Sequence, residues 1–225
     1  MKKIVNITKA ILTFPLNLVG ASIKNIDGPI GDRLRWYYWR LNGAKLSWNV
    51  RIDTNVSIVN PKYLVVGSNT WIDKNVVLIL GPPNLKRVHK ILSNKISFGS
   101  LIIQDNCHIS TNVLIQAHGG VFVGESSGIA SNSCIYSLSH HYRNLDDSDN
   151  KYNYKYSPMV LNEQQYLVIG SVILNKNCGI GVGCSIMPGV EIGENSWITI
   201  NSYVIKNVPS NTIASGSPIN ILKAR

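Results

Sequence analysis

Two adjacent histidines, His140 and His141, lie in a segment rich in Ser, Asp, Asn and Tyr. A neutral imidazole accepts a proton near pH 7, so this pair is a candidate general base. Either residue remains a candidate, because successive side chains of a strand point to opposite sides. Such a base needs a rigid frame to hold it.

That frame is predicted by aliphatic residues that recur at every sixth position. The unbroken run is Val168, Leu174, Ile180, Ile186, Ile192, Ile198 and Val204. Interrupted stretches of the same ladder are Val66, Ile72, Ile103, Ile109, Ile115, Val123, Ile129 and Ile135. Small or β-branched residues follow four places later, including Thr70, Cys107, Ser127, Cys178, Cys184 and Ser202. Neither a helix nor a two-sided strand has this period, so the pattern predicts a solenoid with three short strands per turn.

Three segments between residues 50 and 222 resemble the hexapeptide-repeat acyltransferases: residues 179–193, residues 202–209 and the pair Ser139-His140. The chain is most similar to the sugar O-acetyltransferases of the maltose, galactoside and capsular or exopolysaccharide type. This resemblance implies an all-β fold, a left-handed parallel β-helix, over residues 50–225. We expect residues 1–49 to form an N-terminal helical cap, in which a helix from Asp32 to Leu41 buries Trp36 and Tyr37. Residues 81–99 and 137–167 interrupt the ladder and are predicted to be extruded loops.

Positive charge is concentrated near the N-terminus. Residues 1–51 contain nine lysines or arginines and two aspartates, which accounts for +7 of the formal net charge of +10. Without a helix-turn-helix, zinc or stacking signature, this favours an anionic membrane surface or a phosphate-bearing substrate over nucleic acid. Ile11 to Ala21 is predicted to be an amphipathic helix on the prism or the inner membrane leaflet, with a signal peptide as the alternative.

The resemblance also implies roles for individual residues. His140 matches the family's catalytic base, and His118 and His141 are candidates for binding the substrate. One coil is eighteen residues, so with a two-residue slip His118 lies beneath position 138. Acetyl-CoA, the expected acyl donor, would contact Ser202, Lys206, Gly216, Ser217 and Pro218, and no metal is expected. The family commonly continues with a basic residue where this chain has Asn220, so Lys223 or Arg225 would have to supply that charge.

These observations predict a cytoplasmic homotrimer that transfers an acetyl group from acetyl-CoA to a sugar hydroxyl in surface polysaccharide assembly. Another hydroxyl or amine acceptor, such as a nucleotide sugar or an antibiotic, is the first alternative. A non-catalytic β-helix scaffold is the second. A γ-type carbonic anhydrase would need three histidines around zinc, but His140 and His141 are adjacent and lack the spacing of that family.

Overall fold

The computed structural model describes residues 18–147, 149 and 151–225. Its body is a parallel β-helix, a triangular prism with three sheet faces named A, B and C. Face A contains β1 (Lys45–Leu46), β4 (Leu64–Val66), β8 (Leu101–Ile103), β11 (Val121–Val123), β16 (Val172–Leu174) and β19 (Glu191–Ile192). Face B contains β2 (Arg51–Ile52), β5 (Trp71–Ile72), β9 (His108–Ile109), β12 (Gly128–Ile129), β17 (Gly179–Ile180), β20 (Trp197–Ile198), β22 (Thr212–Ser215) and the antiparallel β23 (Asn220–Ala224). Face C contains β3 (Ser57–Val59), β6 (Val77–Ile79), β10 (Leu114–Gln116), β13 (Cys134–Tyr136), β18 (Ser185–Ile186) and β21 (Tyr203–Val204).

The predicted aliphatic ladder forms the core of the prism. Each coil passes through faces A, B and C in turn, and one rung residue on each face points inward. On face B, for example, Ile129 is in register with Ile109 of the coil before and Ile180 of the coil after. All three are at most 2% exposed. Burying one such side chain stabilises the fold by about 1.5–3 kcal/mol, so every coil contributes to the stability.

The corners of the prism need a residue with positive φ, and asparagine fills most of these positions. Asparagine adopts this left-handed conformation more readily than most residues. Each of these asparagines precedes a buried small or β-branched residue: Asn55, Asn69, Asn75, Asn106, Asn112, Asn132, Asn177, Asn195, Asn201 and Asn211. Stacked side chains are hydrogen-bonded along the prism, since Asn177 Nδ2 donates to Asn195 Oδ1 at 2.9 Å. The recurring asparagines are a second sequence signal for this fold, independent of the aliphatic ladder.

A helical cap covers the first coil. Residues 18–23 are helical, and α1 spans Gly28–Leu41. The buried Arg35 guanidinium donates to Ile52 O at 2.9 Å, which ties α1 to the prism, and it forms an ion pair with Asp32 of the same helix at 2.7 Å. Trp36 is buried as predicted, but Tyr37 is 47% exposed, so the prediction that it is buried is wrong. Most of the segment predicted as an amphipathic helix, residues 11–21, lies outside the described residues.

The first strand begins at Lys45, ahead of the predicted boundary at residue 50. Within the described residues, no helix has the length and apolar character needed to cross a bilayer.

Two excursions interrupt the coils where the chain leaves face C for face A. The first lies between β6 and β8 and carries β7 (Val88–Ser93). The second lies between β13 and β16 and carries β14 (Leu138–His140), a 3-10 helix (Asn162–Gln164) and β15 (Tyr166–Gly170); another 3-10 helix (Pro61–Tyr63) precedes β4. Val168 was predicted to be a rung of the prism, but it lies in β15, outside the coils. Leu174 is therefore the first rung of the unbroken run.

Candidate active site

The roots of both excursions are fixed to the prism by two buried serines. Ser137 Oγ donates to Gln116 O at 2.7 Å and accepts the Gly119 N–H at 2.8 Å. Ser171 Oγ donates to Gly119 O at 3.0 Å and accepts the Ile96 N–H at 3.0 Å. The start of the second excursion and the ends of both therefore meet at Gly119. This gives the loops a rigid base.

The two excursions pair with each other in a small sheet, named sheet D, with strand order β14-β15-β7. β14 is antiparallel to β15, and β7 is parallel to it. Leu167 of β15 is in register with His140 on one side and with His89 on the other. An ion pair of 2.6 Å between Lys90 Nζ and Asp146 also joins the two excursions. His140 is therefore held in a sheet rather than on a free loop.

His140 is half-buried, and one of its ring nitrogens faces a fixed amide. Gln165 is fully buried, and its Nε2 donates to Val160 O at 2.8 Å, so its Oε1 points toward the histidine. His140 Nε2 lies 3.4 Å from that oxygen. Because an amide oxygen only accepts, this contact favours the tautomer with the proton on Nε2. Nδ1 of neutral His140 is then unprotonated and can act as a base.

His141 is turned toward its own loop. Its Nδ1 lies 2.8 Å from Arg143 O and 3.2 Å from Arg143 N, so the backbone of Arg143 contacts this nitrogen in either tautomer. The ring stacks on Tyr142 at a centroid distance of 4.8 Å. His140 is instead next to the exposed ring of Tyr156, at 5.2 Å. This difference favours His140 over His141 as the candidate base.

His118 supports the root of the first excursion. Its Nδ1 lies 2.7 Å from Gly81 O and must donate to it, because a carbonyl oxygen only accepts. In the part of the chain that the structure describes, no hydrogen bond joins His118 to His140. A role for His118 in binding substrate therefore remains a prediction, and its observed contact is with the loop root.

The C-terminal residues predicted to bind the cofactor divide into two groups. Ser202 is buried, and its Oγ donates to Thr199 O at 2.9 Å and accepts the Gly216 N–H at 3.1 Å. Its hydroxyl holds the Gly216 turn, and a contact of Ser202 with the cofactor stays a prediction. Lys206, Ser217 and Pro218 are exposed. Gly216 has φ of +109°, a conformation that favours glycine.

A groove of about 400 Å³ runs over face B and its corner with face C. Gly128 and Gly179 form part of its floor, where the other strands of this face carry outward side chains. A Cβ on Gly128 would meet open space, whereas one on Gly179 would lie 2.5 Å from the Trp197 ring. Ile200 lines the groove, and Ser202, which holds the Gly216 turn, contacts Ile200 O at 3.5 Å, so this turn lies next to the corner that borders the groove. Gly128 and Gly179 each occupy the outward position directly before an inward rung, and this pattern was a sequence signal that could have predicted the groove.

A larger groove of about 550 Å³ lies on face A, beside the cap. Arg40, Lys45, Asp105 and Glu125 are among its lining residues, which include no histidine or cysteine. It is less convincing as a reaction site, because it contains no histidine, whose neutral imidazole is the group best suited to act as a base near pH 7.

Three of the four cysteines are buried and are poor candidates for a nucleophile. Burial raises the pKa of the Cys178 thiol to about 11 and raises the pKa values of the Cys107 and Cys184 thiols. A thiol with a raised pKa is rarely ionised near pH 7 and is a poor nucleophile. Across residues 18–147, 149 and 151–225, no group of three or more His, Cys, Asp or Glu is placed to hold a metal ion.

The fold and the site together define a hexapeptide-repeat β-helix with a histidine-bearing excursion. A solved structure with the same architecture is a variant of AntD, an N-acyltransferase from Bacillus cereus, in complex with dTDP-4-amino-4,6-dideoxyglucose and coenzyme A. It matches with a TM-score of 0.68 and 23% identity, over 85% of this chain and 89% of that chain. The match confirms the predicted left-handed parallel β-helix.

No family model matches the chain. The Saccharomyces cerevisiae protein YJL218W, which carries a provisional acetyltransferase name, is 32% identical over 127 residues, or 56% of this chain and 57% of that protein. Galactoside O-acetyltransferase of Escherichia coli K12 is 24% identical over 192 residues, or 82% of this chain and 78% of that enzyme. The match to the yeast protein spans little more than half of that protein's length. In its repeat, its fold and its relatives, the chain is similar to the hexapeptide-repeat acyltransferases.

Proposed function

We propose that this protein transfers an acetyl group from acetyl-CoA to a hydroxyl of a sugar or glycan, in the assembly of a surface polysaccharide. The observation that carries the proposal is His140, held in sheet D with Nε2 against Gln165 and Nδ1 free. Galactoside O-acetyltransferase, similar over most of this chain, acts on such an acceptor by its name.

In the proposed reaction, His140 removes the proton of the acceptor hydroxyl as that oxygen attacks the thioester carbonyl. Backbone N–H groups stabilise the negative charge that develops on the carbonyl oxygen. As the C–S bond breaks, protonated His140 returns its proton to the departing thiolate, and the acetyl ester remains on the acceptor. General-base assistance of this kind contributes about 10²–10⁴ to a rate.

The groove on face B is the proposed site for the acyl donor. Its glycine floor lets an extended chain approach the backbone closely, and Ser217 and Pro218 are exposed. Lys206 is exposed too, but it lies between β21 of face C and Val208, which pairs with Ile192 of face A, so its contact with the donor stays a prediction. Arg225 is less available for a phosphate than the sequence suggested, because its Nη1 donates to Asn177 O at 3.3 Å and Asn195 O at 3.2 Å. Lys223 is exposed and carries no such contact within the described residues.

The positions of the two half-sites support a homotrimer. His140 lies where face C meets face A, whereas the donor groove lies where face B meets face C. One prism therefore holds the base and the donor on opposite edges of face C. A ring of three chains would set the base of one chain against the groove of the next. The active site would then lie between chains.

An amine acceptor on a nucleotide sugar is the second candidate. It is favoured by the likeness to AntD, which was solved with an amino sugar linked to dTDP. The same base and groove would serve either acceptor. Acetylation assays with a hydroxyl sugar and the matching 4-amino sugar would decide between them.

We also propose that the protein is cytoplasmic and touches the inner membrane leaflet through its cap. Four exposed apolar residues form one stripe along α1: Ile30, Leu34, Tyr37 and Leu41. Their spacing of four, three and four residues places them on one helix face, with Arg33 and Arg40 beside them. Apolar and cationic groups together suit an anionic bilayer. Sedimentation with anionic vesicles should capture the protein, and Ile30→Glu with Leu41→Glu should abolish capture; equal binding would contradict the proposal.

The acyl donor is tested by thermal unfolding. Acetyl-CoA should raise the melting temperature, because it binds the folded protein only. Gly128→Leu should remove this shift without a clash, since the added side chain projects into the open groove, and Gly128→Ala should retain most of it. Light scattering should give three times 24.9 kDa. If no acyl-CoA shifts the melting temperature, the scaffold alternative replaces the enzyme.

A further inference from the structure

The first excursion carries four cations, and residues 81–99 contain no acidic residue. Two of the cations are neutralised: Lys90 pairs with Asp146 at 2.6 Å, and Lys95 pairs with Glu191 at 2.5 Å. The other two, Lys86 and Arg87, have no carboxylate partner among the described residues. The excursion therefore presents two unpaired positive charges.

The pairing of β7 with β15 brings these charges near the candidate base. His89 and His140 flank Leu167 in one row of sheet D. Adjacent strands lie about 4.8 Å apart, so the two histidine backbones are roughly 10 Å apart. Arg87 directly precedes β7, and its backbone carbonyl accepts a hydrogen bond from His89 Nδ1 at 2.8 Å. Gln165, which contacts His140, directly precedes β15, whose first residue, Tyr166, is in register with Val88.

The Arg87 guanidinium has a donor that no group in the described chain satisfies. Its Nε is buried and has no hydrogen-bond partner. An unsatisfied buried donor is costly, particularly when it is charged. A phosphate oxygen is an acceptor suited to it, since guanidinium groups bind phosphates through several parallel hydrogen bonds.

We propose that Lys86 and Arg87, with His89 beside them, form a subsite for a phosphate or diphosphate group of the acceptor. The acceptor is then a sugar linked to phosphate, either on a nucleotide or on a lipid carrier, and not a neutral saccharide. The subsite holds the anion about two strands away from His140, so that a sugar linked to the anion can extend to the base. This inference rests on the proposed function, because it assigns the acceptor of that same site.

The test uses the full chain with inorganic pyrophosphate as the probe, titrated by calorimetry. The wild-type protein should bind pyrophosphate saturably. The double variant Lys86→Gln/Arg87→Gln should weaken binding about tenfold or more, the size expected from lost charged hydrogen bonds. The control variant Lys62→Gln/Lys74→Gln removes the same charge from exposed positions on the prism and should change Kd by less than about twofold. Absent binding, or equal losses in the two double variants, would overturn the subsite.

Two further arms identify the source of the phosphate. The Lys86→Gln/Arg87→Gln variant should keep the acetyl-CoA melting shift; if the shift is lost in parallel with pyrophosphate binding, the cations serve the donor and the inference fails. In acetylation assays, the variant should raise KM for a nucleotide-linked or polyprenyl-diphosphate-linked sugar and leave KM for the methyl glycoside unchanged. Preference for one carrier identifies it. Loss of the acetyl-CoA shift in the wild-type protein would instead refute the proposed function, whatever pyrophosphate does.

Discussion

The prism and sheet D are both built from short strands, but they are stabilised in different ways. In the prism, each buried rung contacts an equivalent residue in the next coil, and the same contact recurs along all three faces. Sheet D has a separate small core of Leu138, Leu167 and Ile169 with Phe98 packed against it. Many weak, identical contacts make a rigid frame. A few individual contacts leave sheet D free to differ in chemistry.

Polar groups follow the same division. In the prism, asparagine side chains are hydrogen-bonded to one another from coil to coil, as between Asn195 and Asn211 at 3.1 Å. In the excursions, Nδ1 of His140 and Nε of Arg87 have no partner within the described residues. The prism repeats one asparagine contact from coil to coil, whereas in the excursions His140 and Arg87 keep an acceptor and a donor for a ligand. The following substitutions test this contrast.

The largest effect is expected at His140. His140→Ala should lower kcat by about 10²–10⁴, the range for loss of a general base. The fold and the acetyl-CoA melting shift should persist, because His140 lies outside both the prism core and the donor groove. Steady-state kinetics with circular dichroism would measure both properties.

His141→Ala is the matched control, since its ring contacts Arg143 and Tyr142 in its own loop. It should change kcat by less than about tenfold. If the two variants exchange their effects, the tautomer and orientation inferred for His140 are wrong and His141 is the base.

The second prediction compares two buried aliphatic residues, Ile115 of face C and Leu167 of sheet D, both fully buried. Ile115→Ala should lower the free energy of unfolding by about 2–5 kcal/mol, because the smaller side chain leaves a cavity that the rigid coils cannot close. Leu167→Ala should affect mainly the excursions, with faster hydrogen exchange there and less change in the unfolding of the prism. Denaturant titration and hydrogen exchange would separate the two. Equal global destabilisation would mean that sheet D and the prism unfold as one unit.

The same contrast explains what the sequence could predict. The rungs are periodic, so their burial was readable from spacing alone. The pairing of β7 with β15 joins segments far apart in sequence through contacts that occur only once. No periodic pattern in the sequence therefore predicts this pairing. Val168 was misassigned because it lies six residues before Leu174 by coincidence, whereas β15 is a strand of five buried residues.

Candidate site residues were also predictable only where they stand in a fixed relation to the repeat. His140 was proposed because it opens an interruption of the ladder and matches the catalytic histidine of the resembling family, and its role stays a prediction. Ser202 was assigned to the cofactor by resemblance, although its place four residues after Ile198 already predicted a buried corner. The sequence could not predict that Arg87 is unpaired. Which of the four cations in the first excursion pair with carboxylates is decided only by contacts in the folded chain.

The smallest effect is expected at the ion pair between the two regions, Lys95 of the first excursion and Glu191 of the prism. Hydrogen bonds from Lys95 and Asn175 lower the pKa of the Glu191 carboxyl. A lowered pKa in the folded state stabilises the fold at pH values above the unfolded pKa, and this contribution is lost as the pH falls through the folded pKa. Glu191→Gln should therefore cost about 0.2–1 kcal/mol at pH 7, typical of a pair near the surface, and nothing in acid below the folded pKa.

The control is Glu125→Gln, which removes the partner of Lys176 at 3.0 Å within the prism. Both variants should lose a similar amount in denaturant titrations at pH 7, and salt should reduce both losses. A markedly larger loss for Glu191→Gln, accompanied by faster hydrogen exchange in residues 88–93, would show that this one ion pair is required to dock the first excursion. Sheet D would then depend on a contact with the prism, the ion pair of Glu191, and not only on contacts within the two excursions.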